Sequence, residues 1–189
     1  LHLSLRRQRQ MCIRDSLRGD ANEQIRALCQ QDWRSRRAVL FLDPYGMQVE
    51  WVTIEAIART QAIDLWILFP LGMGVNRLLT KSGNIPDAWR ARLDVLFGGA
   101  DWYDAFYRAE GQPRMFDDGE ERLVKAKVET IGEYFVERLR SVFAGVASNP
   151  VILRNSTNSP LYLLCFAVGS KAGAPIALRI AEHVLRPLR

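Results

Sequence analysis

Apolar residues follow two rhythms along this chain: short unbroken runs, and stripes spaced by three or four. The run Ala38 to Leu42, Ala-Val-Leu-Phe-Leu, predicts a strand covered on both faces, as a central strand of a parallel sheet would be. Leu65 to Leu71 is a second such run, closed by Pro70 near its end. Between them, Trp51, Ile54, Ile57 and Ala58 within Gln48 to Thr60 recur at helical intervals and predict a crossover helix packed back on the sheet. Strand, helix and strand make a βαβ unit, which is almost always right-handed. Upstream, Asp20 to about Gln31 carries Ile25, Leu28 and Cys29 on one side of a further helix, and Arg34 to Arg37 reads as a polar turn.

Downstream the character changes. Gly72-Met-Gly-Val-Asn closes the second strand and leads into Val75 to Leu79. The stretches around Trp89 to Phe97 and Trp102 to Tyr107, parted by Gly98-Gly99, predict a helical insertion or lid over about 85–119. Gly111 to Gly119 reads as a polar loop. From Glu120 a long helix is expected to about Ala144, with Val124, Val128, Ile131, Phe135, Leu139 and Val142 as its buried stripe. Pro150 to Asn155 and Leu161 to Val168 read as strands, and the connector Ser156 to Pro160 is too short for a parallel crossover, so they pair antiparallel. Pro175 to Leu185 predicts a last helix. The fold class is therefore α/β: a Rossmann-like three-layer sandwich with a partial, mostly parallel sheet, a C-terminal antiparallel strand pair and a helical insertion. No G-x-G-x-x-G turn or P-loop precedes Asp43, so the expectation is the later part of such a sheet, with its N-terminal part missing.

Composition narrows the partners. The chain has 189 residues, 48% of them hydrophobic, enough for one domain with a real core. Its net charge of +5 would suggest a polyanionic partner, but four arginines against one aspartate in residues 1–16 account for three of the five charges. That segment has no initiator Met and no signal-peptide core, and reads as non-native read-through or a disordered basic arm; residues 17–189 are the domain. Three cysteines without pairing motifs suit a reducing cytoplasm. With only His2 and His183 and no CxxC, there is little material for a metal site or a His-dependent triad, and no apolar run is long enough to span a membrane.

The chemistry-bearing stretch is Asp43-Pro44-Tyr45-Gly46. In open α/β sheets ligands bind at the carboxyl ends of parallel strands, and these residues end the first apolar run. The simplest structural account is a turn in which Pro44 and Gly46 set the backbone and Tyr45 packs. Asn76 and Arg77, after the second run, are candidates for the same cleft, or for a solvated helix face.

Gly19-Asp-Ala-Asn-Glu23, Phe41-Leu-Asp-Pro-Tyr-Gly-Met47, Thr53-Ile-Glu-Ala-Ile57, Leu65-Trp-Ile-Leu-Phe-Pro-Leu-Gly72 and Val75-Asn-Arg-Leu-Leu79 resemble the three-Cys-motif partner family, over nearly everything after residue 18. Members of that family look like Rossmann-type class I methyltransferases. The resemblance implies S-adenosylmethionine as cofactor, an amino group on an unknown substrate as acceptor, and a three-Cys-motif protein as partner. It implies that Asp20, with Asn22 beside it, meets the adenine, although either residue also suits a helix N-cap. It also sets Asp43, Pro44 and Tyr45 beside the Asp/Asn-Pro-Pro-aromatic motif of amino-methylating enzymes, with one proline lacking and Gly46 following. In that motif a carboxylate and a carbonyl orient the amine, while the aromatic stacks on a flipped base. Nucleic acid is thus one substrate class to consider. The alternative is a non-catalytic Rossmann-like partner of a three-Cys-motif protein, in a phage or mobile-element setting.

Overall fold

The computed structural model describes residues 16–109 and 123–188. The proposed arm, save Ser16, and the loop at Gly111 to Gly119 lie outside them. Helix α1 (Ala21–Cys29) precedes strand β1 (Ala38–Leu42); α2 (Trp51–Arg59) joins β1 to β2 (Ile63–Phe69). A π-helical turn at Leu71–Val75 runs into α3 (Asn76–Leu78), followed by α4 (Asp87–Phe97) and α5 (Trp102–Phe106). Strands β3 (Tyr107–Ala109) and β4 (Leu123–Lys125) form a separate ribbon, and α6 (Val128–Val142), β5 (Gly145–Val146), β6 (Val151–Arg154), β7 (Pro160–Val168) and α7 (Ala174–Leu185) complete the order.

The main sheet has five strands. β1 and β2 are parallel, with Leu40 opposite Leu65. β7 lies antiparallel on the other side of β2, with Ile67 opposite Cys165. β6 and β5 both pair antiparallel with the far edge of β7, β6 along its first half and β5 at its end. The sheet is mixed, which corrects the expectation of a mostly parallel one. The cause is the hairpin: Asn155 Oδ1 accepts from the backbone N–H groups of Thr157 and Ser159 (3.1 and 2.8 Å), closing a tight turn that returns β7 alongside β6 and inserts it against β2.

Strand alternation divides the core. Ile63, Leu65, Ile67 and Phe69 of β2, with Leu163, Cys165 and Ala167 of β7, pack with α2 and α6. The alternate residues Phe166 and Val168, with Trp66 and Leu164, pack with Ala181 and Leu185 of α7. Phe69 stacks on Phe135 of α6, ring centroids 3.9 Å apart. Each large side chain so buried stabilises the fold by about 1.5–3 kcal/mol.

β1 departs from the strand expected at the centre of a sheet. Leu42 is buried, but Val39 and Phe41 are 67% and 57% exposed. Among the described residues β1 pairs with β2 alone, and the residues clustered with α7 come from β2, β6, β7 and their connections, so the outward side of β1 is left open.

The long helix also begins later than its stripe suggests. Val124 is exposed in β4, and the chain turns helical only at Val128. Pairing with β3 overrides the local pattern here. Ala126 N–H donates to the Phe106 carbonyl at 2.7 Å, and Lys125 Nζ donates to the carbonyls of Asn76 and Leu79 at 2.8 and 2.7 Å. Burial pushes the Lys125 ammonium below its usual range, and the two carbonyls compensate in part for its lost hydration. No helix among the described residues is long and apolar enough to cross a membrane.

Candidate functional site

At the carboxyl end of β1 the chain leaves the sheet as Asp43-Pro-Tyr-Gly, and Gly46 adopts φ 67°, in the left-handed region that favours glycine. Met47 then returns to the core at 8% exposure. The π-helical turn after β2 is shaped to receive it. A Cβ on Gly74 would lie 2.8 Å from Met47 Cγ, so this glycine lets the two strand-end segments touch. Gly72 serves the other side of the turn: a Cβ there would lie 1.8 Å from the Pro160 carbonyl oxygen at the start of β7. The loop bearing Asp43 is thereby fixed by packing on both β2 and, through the turn, β7.

Beside that loop is a cleft of about 780 Å³ between the N-terminus of α1, the end of β1 and one side of α4. Asp20, Asn22, Asp43 and Pro44 all line it, so residues from two distant motifs meet in one place. Asp20 caps α1, its Oδ1 accepting from Glu23 N–H at 3.1 Å. Asp43 is solvent-exposed. Most of the remaining wall is apolar, including Ile25, Phe41, Val49 and Val95, with Arg92 as a cation at one side. The cleft thus offers carboxylates to accept from amines or hydroxyls and apolar side chains that suit a flat apolar group.

Asn22 has a different office from its neighbours. It is buried, its Nδ2 donates to the Gln48 carbonyl (2.8 Å), and its Oδ1 accepts from Glu50 N–H (3.0 Å) and Thr53 Oγ1 (2.9 Å). Arg26 extends this knot by donating to Glu50 and to Thr53 Oγ1. These bonds fasten α1 to the connection between β1 and α2 and to the first turn of α2, which keeps Asp20 in the wall of the same cleft as Asp43. Asn22 shapes the cleft; its amide already has partners at both ends.

The other candidates are dispersed. Tyr45 is 89% exposed and projects to solvent. Gly46, Asn76 and Arg77 are not among the residues that line the cleft. Asn76 is half-buried and its carbonyl accepts from Lys125, while Arg77 is exposed. Away from these candidates, Trp102 and Tyr107 are core residues, and Tyr103 packs on them at the edge of that core. Burial pushes the Cys165 thiol far above its ordinary value, consistent with a packing role. Sequence reasoning missed α4 as a wall of the cleft. Its signal was present: Ala88, Ala91, Arg92 and Val95 recur at helical spacing on the side that lines it. Among the described residues, no three His, Cys, Asp or Glu side chains are grouped so as to hold a metal ion.

Compared with protein-family models, curated proteins and solved structures, the chain matches none.

Proposed function

We propose that the chain is a methyltransferase-like protein of the three-Cys-motif partner type, with a Rossmann-like layered sheet whose cleft at the end of β1 takes the adenosyl part of S-adenosylmethionine. The observation that carries this reading is the meeting of Asp20 and Asp43 in one cleft with an otherwise largely apolar wall. The residues fit the adenosyl end of the cofactor: a carboxylate can accept from the adenine amine, apolar side chains can cover the ring, and acidic surroundings favour a sulfonium cation. The bound cofactor would supply an activated methyl group. Asp43 would accept from the substrate amine and orient its lone pair, Pro44 would add a carbonyl acceptor, and exposed Tyr45 would offer a ring for a flat substrate to stack on. Asn22 would act at one remove, by holding Asp20 in place.

The exposure of Tyr45 and of β1 also favours a second reading, in which the same protein is a non-catalytic partner of a three-Cys-motif protein. Ligand titration separates the two. Titrating S-adenosylhomocysteine into the isotopically labelled chain should shift the amide resonances of residues around Asp20, Phe41 and Asp43, and Asp20→Asn should weaken that binding about tenfold, as expected for loss of one charge-assisted hydrogen bond. Because the Gly-rich cofactor turn is absent from this chain, binding is expected to be weak; shifts confined to surfaces away from this cleft would remove the cofactor reading and leave the partner reading standing.

A further inference from the structure

The wall that α4 gives the cleft carries a charge with no structural task among the described residues. α4 itself is firmly placed: Leu93, Leu96 and Phe97 are buried, and the Phe97 carbonyl accepts from Arg138 Nη2 of α6 at 2.7 Å. Its other charged side chains have evident roles in the fold. Asp87 stands in the first turn, where a carboxylate complements the helix dipole. The Arg90 guanidinium lies over the Tyr103 ring, 4.5 Å from its centroid, and Asp94 Oδ1 accepts from Trp102 Nε1 at 2.7 Å. Arg92 differs from all three. It is exposed, it lines the cleft, and it makes no hydrogen bond or ion pair with another side chain among the described residues.

Nor does Arg92 serve as counter-ion to the acids of the same cleft. Glu50 is paired with Arg26, Asp20 caps α1, and neither they nor Asp43 forms an ion pair with Arg92. On α4 the residues that line the cleft with Arg92 are Ala88, Ala91 and Val95, short apolar side chains that leave room for a ring against the helix. A ligand matched to this wall is flat, donates hydrogen bonds to the carboxylates, and carries an anion where it meets α4. We propose that Arg92 reads a negatively charged group, a carboxylate or a phosphate, on the nucleoside-type ligand of this cleft and so sets which adenosine derivatives bind, an assignment that rests on the adenosyl reading given above. The planar guanidinium can donate two parallel N–H bonds to either group. S-adenosylmethionine would offer its carboxylate, and an adenine nucleotide would offer its phosphate.

The test is to titrate the isotopically labelled 189-residue chain with methylthioadenosine, S-adenosylhomocysteine and adenosine monophosphate, comparing wild type with Arg92→Gln and Arg92→Lys. The first ligand is a nucleoside without an anion, the second adds a carboxylate, and the third carries a phosphate. The wild type is expected to bind at least one anionic ligand about fivefold more tightly than methylthioadenosine, the scale of a solvent-exposed charge contact. Whether the carboxylate or the phosphate gains identifies the source of the anion. Arg92→Gln should lose the preference, Arg92→Lys should keep part of it, and added salt should shrink it in the wild type. Equal affinities for all three ligands in the wild type overturn the inference while the adenosyl reading stands. So does a loss in Arg92→Gln that all three ligands share equally. Amide shifts confined to surfaces away from the cleft, with every ligand, overturn both.

Discussion

β1 and β2 are close in composition and far apart in use. Both are short, apolar and parallel to each other, and each ends in a segment that shapes the candidate cleft. β2 has a strand on either side, and its Leu65 and Phe69 are fully buried. β1 has one neighbour among the described residues, and its Val39 and Phe41 face outward. Apolar content thus records that a strand belongs to a sheet. Position within the sheet comes from which other segments reach its edges and faces.

The sharpest contrast between the strands is Phe69→Ala in β2. Phe69 is fully buried, stacked on Phe135 and tilted against Phe97 at 5.9 Å between centroids. Removing the ring opens a cavity between sheet and α6, and chemical denaturation should show a loss of about 4 kcal/mol. A loss under about 1 kcal/mol would mean that β2 is no better buried than β1.

Gly72→Ala tests the turn that follows β2. Its added methyl would collide with the Pro160 backbone, which the β6–β7 hairpin holds in place, so relief requires moving the turn or the start of β7. The expected cost is about 3 kcal/mol by denaturation, with the Met47 environment disturbed in the same variant. An unchanged midpoint would show that the turn is looser than its contacts indicate.

Much of the helical and strand order was legible because it rests on local repetition. The stripe Trp51, Ile54, Ile57 and Ala58 is the buried side of α2, and the five-residue connector does force an antiparallel hairpin. What was not legible depended on distant pairing. Val124 continues a helical stripe in sequence, yet it lies in β4 because Tyr107 to Ala109 accepts that segment as a strand. The two-residue strand β5 has no pattern of its own and exists through the end of β7. The same division runs through the cleft. Asp20 and Asp43 stand out as polar residues at element ends, whereas Arg92 enters the wall only because α4 packs beside α2.

Asn22 tests how the β1 side of the molecule is held, given how little of β1 itself is covered. Asn22→Ala would leave the Glu50 N–H and the Gln48 carbonyl without their partner and Thr53 Oγ1 without its acceptor. A loss of about 2 kcal/mol is expected. Ligand affinity in the cleft should fall with it if α1 moves away from β1. Asp20→Asn, at the exposed cap, should change stability by well under 1 kcal/mol and act on the ligand alone, which distinguishes a residue that contacts from one that positions.

The smallest effect on the fold should come from Phe41→Thr, although it removes an aromatic ring from an unbroken apolar run. Threonine keeps a strong strand preference, and the ring it replaces is 57% exposed, so the monomer loses little buried area. Measured by thermal or chemical denaturation in dilute solution, the change should stay within about 0.5 kcal/mol. A fold effect near that of Phe69→Ala would show that β1 is covered after all and would make the two strands equivalent.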